Sequence, residues 1–124
     1  MERGVVVIGG GIGGVQASLD LANAGIRVYM VERLPSIGGV MAQLDKTFPT
    51  NDCSMCILSP KLVEVARHPN IELLTNSEVT AVEGTSGEFT VTVTKHPRYV
   101  DMDKCIACGT CTEKCPSKVP SEFD

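Results

Sequence analysis

Four cysteines follow one another at short intervals near the end of this 124-residue sequence. They form the pattern C-x2-C-x2-C-x3-C, and a proline stands directly after the last of them. Consecutive thiolates at this spacing bind the irons of a [4Fe–4S] cluster, whereas zinc sites usually present two separated C-x2-C pairs. In two-cluster ferredoxins the fourth cysteine of such a run binds the other cluster. The sequence therefore leaves open which cluster the fourth cysteine binds here. The sequence predicts iron ligands at Cys105, Cys108, Cys111 and Cys115.

A glycine-rich turn near the start of the sequence indicates a second kind of chemistry. Gly9, Gly11 and Gly14 fit the pattern G-x-G-x-x-G, with Gly10 and Gly13 between them. The first glycine of this pattern permits a tight turn, the second lets the backbone approach a pyrophosphate, and the third lets a helix pack closely on a strand. The N–H groups at the start of that helix then face the phosphates. We therefore expect a dinucleotide to bind at these five glycines.

An acidic residue and a second glycine pair extend this motif. Glu32 lies 18 residues beyond the last glycine of the turn, where a carboxylate accepts hydrogen bonds from a ribose hydroxyl. The pair Gly38–Gly39, a few residues after Arg33, resembles the extended flavin signature of the glutathione-reductase and thioredoxin-reductase family. The resemblance implies FAD rather than NAD, with the Gly38–Gly39 loop lying against it and with Glu32 and Arg33 among the cofactor-binding residues. It also implies that the backbone near Val79 contacts the adenine.

The remaining two cysteines, Cys53 and Cys56, form a C-x-x-C pair. We expect this pair in a loop before a helix that begins at Ser59 and Pro60, a hydroxyl cap followed by proline at the first helical position. The two thiols could be a redox dithiol, could supply two ligands to a further iron–sulfur cluster, or could be buried thiols that only pack. In flavin-dependent disulfide reductases, which this part of the chain resembles, the active dithiol usually has another spacing and lies on a helix. This departure argues against a simple disulfide-reductase mechanism.

Hydrophobic periodicity predicts the elements that position these motifs. Two short apolar strands flank a helix whose buried positions recur at i, i+3, i+4 and i+7, a pattern typical of a right-handed parallel βαβ unit. The helix after the C-x-x-C pair should bury Leu62, Val63 and Ala66. Beyond it we expect a third strand and a hairpin whose second arm alternates as a half-buried strand. The predicted strands are Val5–Ile8, Ile26–Val31, Ile71–Leu74, Val79–Glu83 and Phe89–Lys95. The predicted helices are one that buries Val15, Ser18, Leu19 and Ala22 and a short one at Val40–Leu44.

The predicted fold class is therefore α/β. A Rossmann-like FAD-binding βαβ unit with a β-hairpin should occupy residues 1–97, and the start of a ferredoxin-like [4Fe–4S] module should occupy residues 98–124. The boundary is placed where the composition changes, because residues 99–124 contain four of the six cysteines and few aliphatic side chains.

Composition excludes several classes of protein. Hydrophobic residues make up 43% and charged residues 21% of the sequence, which disfavours disorder throughout the chain. A net charge of −4 argues against nucleic acid as a partner. The longest apolar run is far shorter than the roughly 20 residues of a membrane span, and a secretory signal is absent. We expect a soluble, cytoplasmic protein.

Taken together, the motifs resemble the family of the heterodisulfide reductase A-subunit. The resemblance rests on the flavin turn, Pro35–Gly39, Asp45–Thr50, the segment Thr50–Leu58 and the cysteine run, in this order. Members are cytoplasmic iron–sulfur flavoproteins of anaerobes such as methanogens and sulfate reducers, with a thioredoxin-reductase-like FAD domain and an inserted ferredoxin domain. The resemblance implies FAD that splits electron pairs between ferredoxin and a disulfide-reducing partner protein. The implied partners are other heterodisulfide reductase subunits and ferredoxin or hydrogenase-type electron carriers, in a hetero-oligomer.

The sequence departs from that family in length, because family members run to several hundred residues. We expect an N-terminal fragment, a truncated product or a split subunit that is inactive alone, and we name no catalytic acid, base or nucleophile. Two alternatives stay open. One is a ferredoxin-like electron-relay module whose nucleotide fold is vestigial. The other is an NAD(P)-linked thiol–disulfide oxidoreductase that uses Cys53 and Cys56.

Overall fold

A sheet of parallel strands forms the centre of the structure, a computed structural model that describes residues 4–118. The strands β1 (Val5–Ile8), β2 (Val28–Val31) and β3 (Ile71–Leu74) lie in the order β1-β2-β3. The helix α1 (Ile12–Asn23) connects β1 to β2, and α2 (Ser54–Arg67) lies between β2 and β3. The predicted α/β fold with a parallel βαβ unit is therefore confirmed.

The hydrophobic core lies between this sheet and the two helices. The four α1 positions predicted to be buried are all buried, and the three apolar ones among them belong to one cluster with the completely buried Val28 and Met30 of β2. Burying such an aliphatic side chain contributes about 1.5–3 kcal/mol to folding. The central strand therefore holds α1, and the glycine turn before it, in a fixed place. The core cluster consists of Val15, Leu19, Ala22, Val28, Met30, Val65 and Ile71.

The helix after the C-x-x-C pair begins earlier than the sequence predicts. Ser59 is not its cap: α2 starts at Ser54, Cys53 is the N-cap residue, and Pro60 lies inside the helix. The Cys53 sulfur accepts a hydrogen bond from the Cys56 N–H, and this local contact replaces the predicted hydroxyl cap. The buried side of the helix also differs from the predicted one. It buries Ser54, Leu58 and Val65, and Val63 is 47% exposed.

The predicted hairpin is confirmed with longer arms. Its strands β4 (Ser77–Thr85) and β5 (Glu88–Lys95) pair antiparallel through a two-residue turn, and a bulge follows Val79. The expectation of a half-buried second arm is wrong for Phe89, whose side chain is 60% exposed. The reason is that β4 and β5 form a separate two-stranded sheet rather than extending the parallel one.

Two short helices complete the part of the chain that the structure describes. A 3-10 helix at Gly39–Gln43 confirms the short helix expected there, and α3 (Thr110–Glu113) lies within the cysteine run. The last part of the predicted second module, residues 119–124, lies outside the described residues. None of the described helices is both long and apolar enough to cross a bilayer.

Candidate functional site

The glycine turn connects β1 to α1, and the first turn of α1 lies very close to the turn's backbone. Gly9 has a φ of +102°, which side chains rarely adopt, and its N–H donates a 2.8 Å hydrogen bond to the carbonyl of Val31 in β2. A Cβ atom on Gly14 would overlap the carbonyl oxygen of Gly9. The last glycine of the pattern is therefore required for α1 to approach the turn this closely.

The outer side of the same turn is open. A Cβ atom on Gly11 or Gly13 would meet no heavy atom within 4 Å. Gly11 is the N-cap residue of α1, and neither a capping side chain nor an acidic residue occupies the first turn of this helix. The first N–H groups of a helix lack partners within the helix and carry the positive end of its dipole. This surface can therefore hold an anionic group such as a pyrophosphate.

Glu32 lies directly beside the turn, at the end of β2. Its side chain is buried, and its two carboxylate oxygens accept backbone hydrogen bonds from Gly10 (2.6 Å) and Leu34 (2.8 Å). Because each carboxylate oxygen has two acceptor positions, one remains on each oxygen for a ligand hydroxyl. The acid thus fixes the turn and the loop after β2 as well as presenting acceptors.

The second glycine pair packs against the first glycine turn. Gly38 donates a 2.7 Å hydrogen bond to the carbonyl of Gly10. Gly39 has a φ of +56°, and a Cβ atom on it would lie 2.9 Å from the Cα of Gly11. The two glycine segments thus touch, and beside them lies a cleft of about 560 Å³. The cleft is lined by Leu34, Pro35, Ser36, Ile37, Gly39, Ala42 and Gln43.

The other two residues expected near the cofactor lie at the edges of this arrangement. Arg33 is exposed next to Glu32. Val79 lies in β4 opposite Val93, two residues after Ser77, whose N–H donates to the carbonyl of Glu32. The start of β4 is therefore attached to the end of β2, which places Val79 on the strand that leaves the site.

Cys53 and Cys56 are joined by a disulfide at the start of α2. Both residues are exposed, so the interpretation as buried thiols that only pack is wrong. The adjoining loop is held in place because the buried Ser54 donates a 2.6 Å hydrogen bond to the carbonyl of Leu44. The pair lies at the start of a helix rather than in a free loop. It therefore resembles the dithiols of flavin-dependent disulfide reductases in its location on a helix and differs from them in its spacing.

The four cysteines of the run are free and exposed. Their number and chemistry suit an iron–sulfur cluster, but within residues 4–118 no three His, Cys, Asp or Glu side chains are gathered to hold a metal ion. Hydrogen bonds from the Thr110 side chain and backbone lower the pKa of the Cys108 thiol. Gly109 has a φ of +80° before α3, where a tight bend is needed. The thiols are therefore accessible, and the conformation of the segment has to change before all four sulfurs can bind one cluster.

Two residues that were not expected at the site connect these regions. Asn76, with a φ of 53°, donates its backbone N–H to the carbonyl of Leu34. Arg98 donates to the carbonyl of Pro35 (2.9 Å) and to the Thr75 hydroxyl. An asparagine between two predicted strands is a recognisable turn signal. No sequence signal marks Arg98, because its partners lie 63 and 23 positions away.

Comparisons with known proteins agree with this geometry. The family model of pyridine nucleotide-disulphide oxidoreductases matches residues 3–120. A protein of Archaeoglobus profundus, named as similar to the heterodisulfide reductase A-subunit, is 67% identical over 97% of this chain, which covers 17% of that protein. An iron–sulfur A-subunit of the CoB–CoM heterodisulfide reductase of Methanopyrus kandleri is 62% identical over 96% of this chain, which covers 18% of it. The chain thus spans less than a fifth of these relatives.

The fold recurs in solved structures. The match to thioredoxin reductase from T. acidophilum covers 72% of this chain and 30% of the reductase chain, with a TM-score of 0.59. Since the identity is only 19%, this match supports the fold alone. The family match, in contrast, extends over nearly the whole sequence. The chain therefore belongs to the pyridine nucleotide-disulphide oxidoreductase family.

Proposed function

We propose that this chain is the FAD-binding and cluster-binding part of an electron-transfer oxidoreductase of the heterodisulfide reductase type. The observation that carries the proposal is the contact between the two glycine segments, with Glu32 bonded to Gly10 and Gly38 bonded to the same residue. A dinucleotide site of this kind needs a tight turn, a close helix and an acid at its edge, and all three are present. The names of the relatives indicate the type of reaction.

Each part of this site would hold a different part of FAD. The open face at Gly11 and Gly13 would bind the pyrophosphate, and the free acceptor positions of Glu32 would bind a ribose. Gly39, Arg33 and the cleft beside them would lie along the cofactor, with Val79 towards the adenine. FAD supplies one- and two-electron transfer when bound, and the protein supplies position and electrostatics.

The cysteine run would hold a [4Fe–4S] cluster as a second module, over residues 98–124, after the FAD module of residues 1–97. Four free thiols at this spacing are a suitable donor set. Because the thiols are not gathered within the described residues, cluster binding would be coupled to folding of this segment. Electrons would pass between FAD and clusters in the protein. Neighbouring subunits, ferredoxin or hydrogenase-type carriers would exchange electrons with them in the cytoplasm.

Cofactor analysis of the chain purified without oxygen tests this function. We expect bound FAD together with iron and acid-labile sulfide after reconstitution, and a visible spectrum with resolved flavin bands above a broad cluster absorption. A sample with cluster absorption but no affinity for FAD would support the electron-relay module with a vestigial nucleotide fold. A colourless sample, even after reconstitution with flavin, iron and sulfide, would contradict the proposal.

The exposed disulfide favours a second candidate function, an NAD(P)-linked thiol–disulfide oxidoreductase. Thiolates at a helix N-terminus are stabilised by the helix dipole, so Cys53 and Cys56 have a suitable location for dithiol exchange. Replacing both with serine would abolish NAD(P)H-dependent disulfide reduction in this case and leave the visible spectrum unchanged. Loss of the cluster absorption in the same variant would instead assign the pair to iron.

A further inference from the structure

Arg98 joins two parts of the chain that the sequence separates. Its Nη2 atom donates to the carbonyl of Pro35, in the loop after β2, and to the hydroxyl of Thr75, between β3 and β4. Arg98 is only partly exposed, although the residues on either side of it are exposed. It lies seven residues before Cys105, the first cysteine of the run. The chain that leads to the cysteines is thus attached to the loop that borders the proposed FAD site.

Asn76 makes a second connection at the same place. Its backbone N–H donates to the carbonyl of Leu34 (2.9 Å), and its side-chain amide donates to the carbonyl of His96 (3.1 Å). In return, the N–H of His96 donates to the carbonyl of Asn76 (2.9 Å). The loop after β2, the turn between β3 and β4 and the chain after β5 are therefore bonded together at one point.

The loop held at this point also forms the proposed cofactor site. The N–H of Leu34 donates to the carboxylate of Glu32, and Pro35 lines the cleft beside the glycine segments. A ligand that orders this loop will therefore favour the conformation in which Pro35 can accept from Arg98. By thermodynamic reciprocity, holding the loop through Arg98 will strengthen binding of the same ligand.

We propose that Arg98 is a positioning residue that couples occupancy of the dinucleotide site to the order of the segment leading into the cysteine run. The coupling rests on the proposed function, since it needs FAD as the ligand. The attachment of Arg98 to Pro35 and Thr75 does not depend on FAD. The two claims can therefore be tested separately on the complete chain, first without cofactor and then with FAD.

Hydrogen exchange of the cofactor-free chain tests the attachment. Arg98→Ala should speed exchange about tenfold at the amides of Asn76 and His96, because charged hydrogen bonds at this junction are lost. Arg98→Lys should restore much of the protection, since both contacts come from a single nitrogen that an ammonium can replace. The matched control, Arg67→Ala at the exposed end of α2, should change neither amide. Wild-type exchange at both amides in Arg98→Ala would overturn the proposal.

Addition of FAD tests the coupling. In the wild-type chain FAD should slow exchange over residues 99–104, and in Arg98→Ala this response should disappear while the dissociation constant of FAD rises about tenfold. An undiminished response in Arg98→Ala would overturn the coupling. If Arg98→Ala does not fold, Thr75→Val removes one of the two acceptors and should show the same effects at smaller size. A wild-type chain that does not bind FAD would overturn the proposed function, whereas the exchange at Asn76 and His96 would still decide the attachment.

Discussion

The backbone N–H of Gly10 and the carboxylate of Glu32 lie 2.6 Å apart in a buried hydrogen bond, although 22 positions separate them in the sequence. The second carboxylate oxygen accepts the N–H of Leu34. One side chain thereby fixes the glycine turn on one side and the loop that borders the cleft on the other. An acid is needed here for the protein itself, before any ligand binds, because it satisfies two buried or partly buried backbone donors.

Replacing Glu32 with glutamine should therefore weaken both folding and cofactor binding. A glutamine offers one acceptor oxygen, and its amide group would place a donor against either the Gly10 or the Leu34 N–H. We expect the free energy of unfolding to fall by about 1–3 kcal/mol, measured by urea denaturation, and the FAD affinity to fall with it. Glu64→Gln, on the exposed side of α2, is the matched control and should change neither. Wild-type stability in Glu32→Gln would show that the two hydrogen bonds contribute little.

Two neighbouring glycines should respond to alanine in opposite ways. Gly14→Ala places a methyl group against the Gly9 carbonyl and should cost about 1–3 kcal/mol of stability. Gly13→Ala adds a methyl group to open space in a helix and should leave stability unchanged or raise it by up to about 1 kcal/mol. Its effect should instead be weaker FAD binding, since the methyl group covers the proposed pyrophosphate surface. Equal losses of stability in both variants would contradict this assignment.

The local part of the fold could be predicted from the sequence because its signals are local. The buried positions of α1 follow from helical spacing. The strand β3 has the predicted bounds Ile71–Leu74 because polar residues stand on both sides of its three aliphatic side chains. The glycine turn could also be placed, because the spacing of its glycines and the distance to Glu32 are properties of the chain itself.

Contacts between distant segments could not be predicted in the same way. The partners of Arg98 are backbone and hydroxyl groups that no pattern marks, and the contact between Gly39 and Gly11 depends on how two loops fold together. The predicted start of α2 at Ser59 is wrong for a related reason. Ser59–Pro60 is a typical helix start, but Cys53 caps the helix six residues earlier, and the packing of Leu58 in the interior supports the longer helix.

Pro60→Ala tests where α2 begins. Inside a helix, proline lacks the N–H that would bond to the carbonyl of Cys56 and crowds that carbonyl, so alanine should stabilise the protein by up to about 3 kcal/mol. Thermal unfolding should show a higher midpoint. If the helix instead began at Ser59, proline would be favourable at its first position, and alanine would leave the midpoint unchanged or lower it.

Serine substitutions should separate the roles of the two groups of cysteines. Cys108→Ser removes a thiolate from the run and should lose most of the iron and sulfide bound after anaerobic reconstitution, because a serine hydroxyl replaces thiolate poorly as an iron ligand. The double variant Cys53→Ser, Cys56→Ser is the control, and it should retain both iron and sulfide while losing the disulfide at the start of α2. Metal analysis and visible absorption on parallel preparations measure the difference. Iron retained in Cys108→Ser and lost in the double variant would reverse the assignment and place the cluster on the C-x-x-C pair.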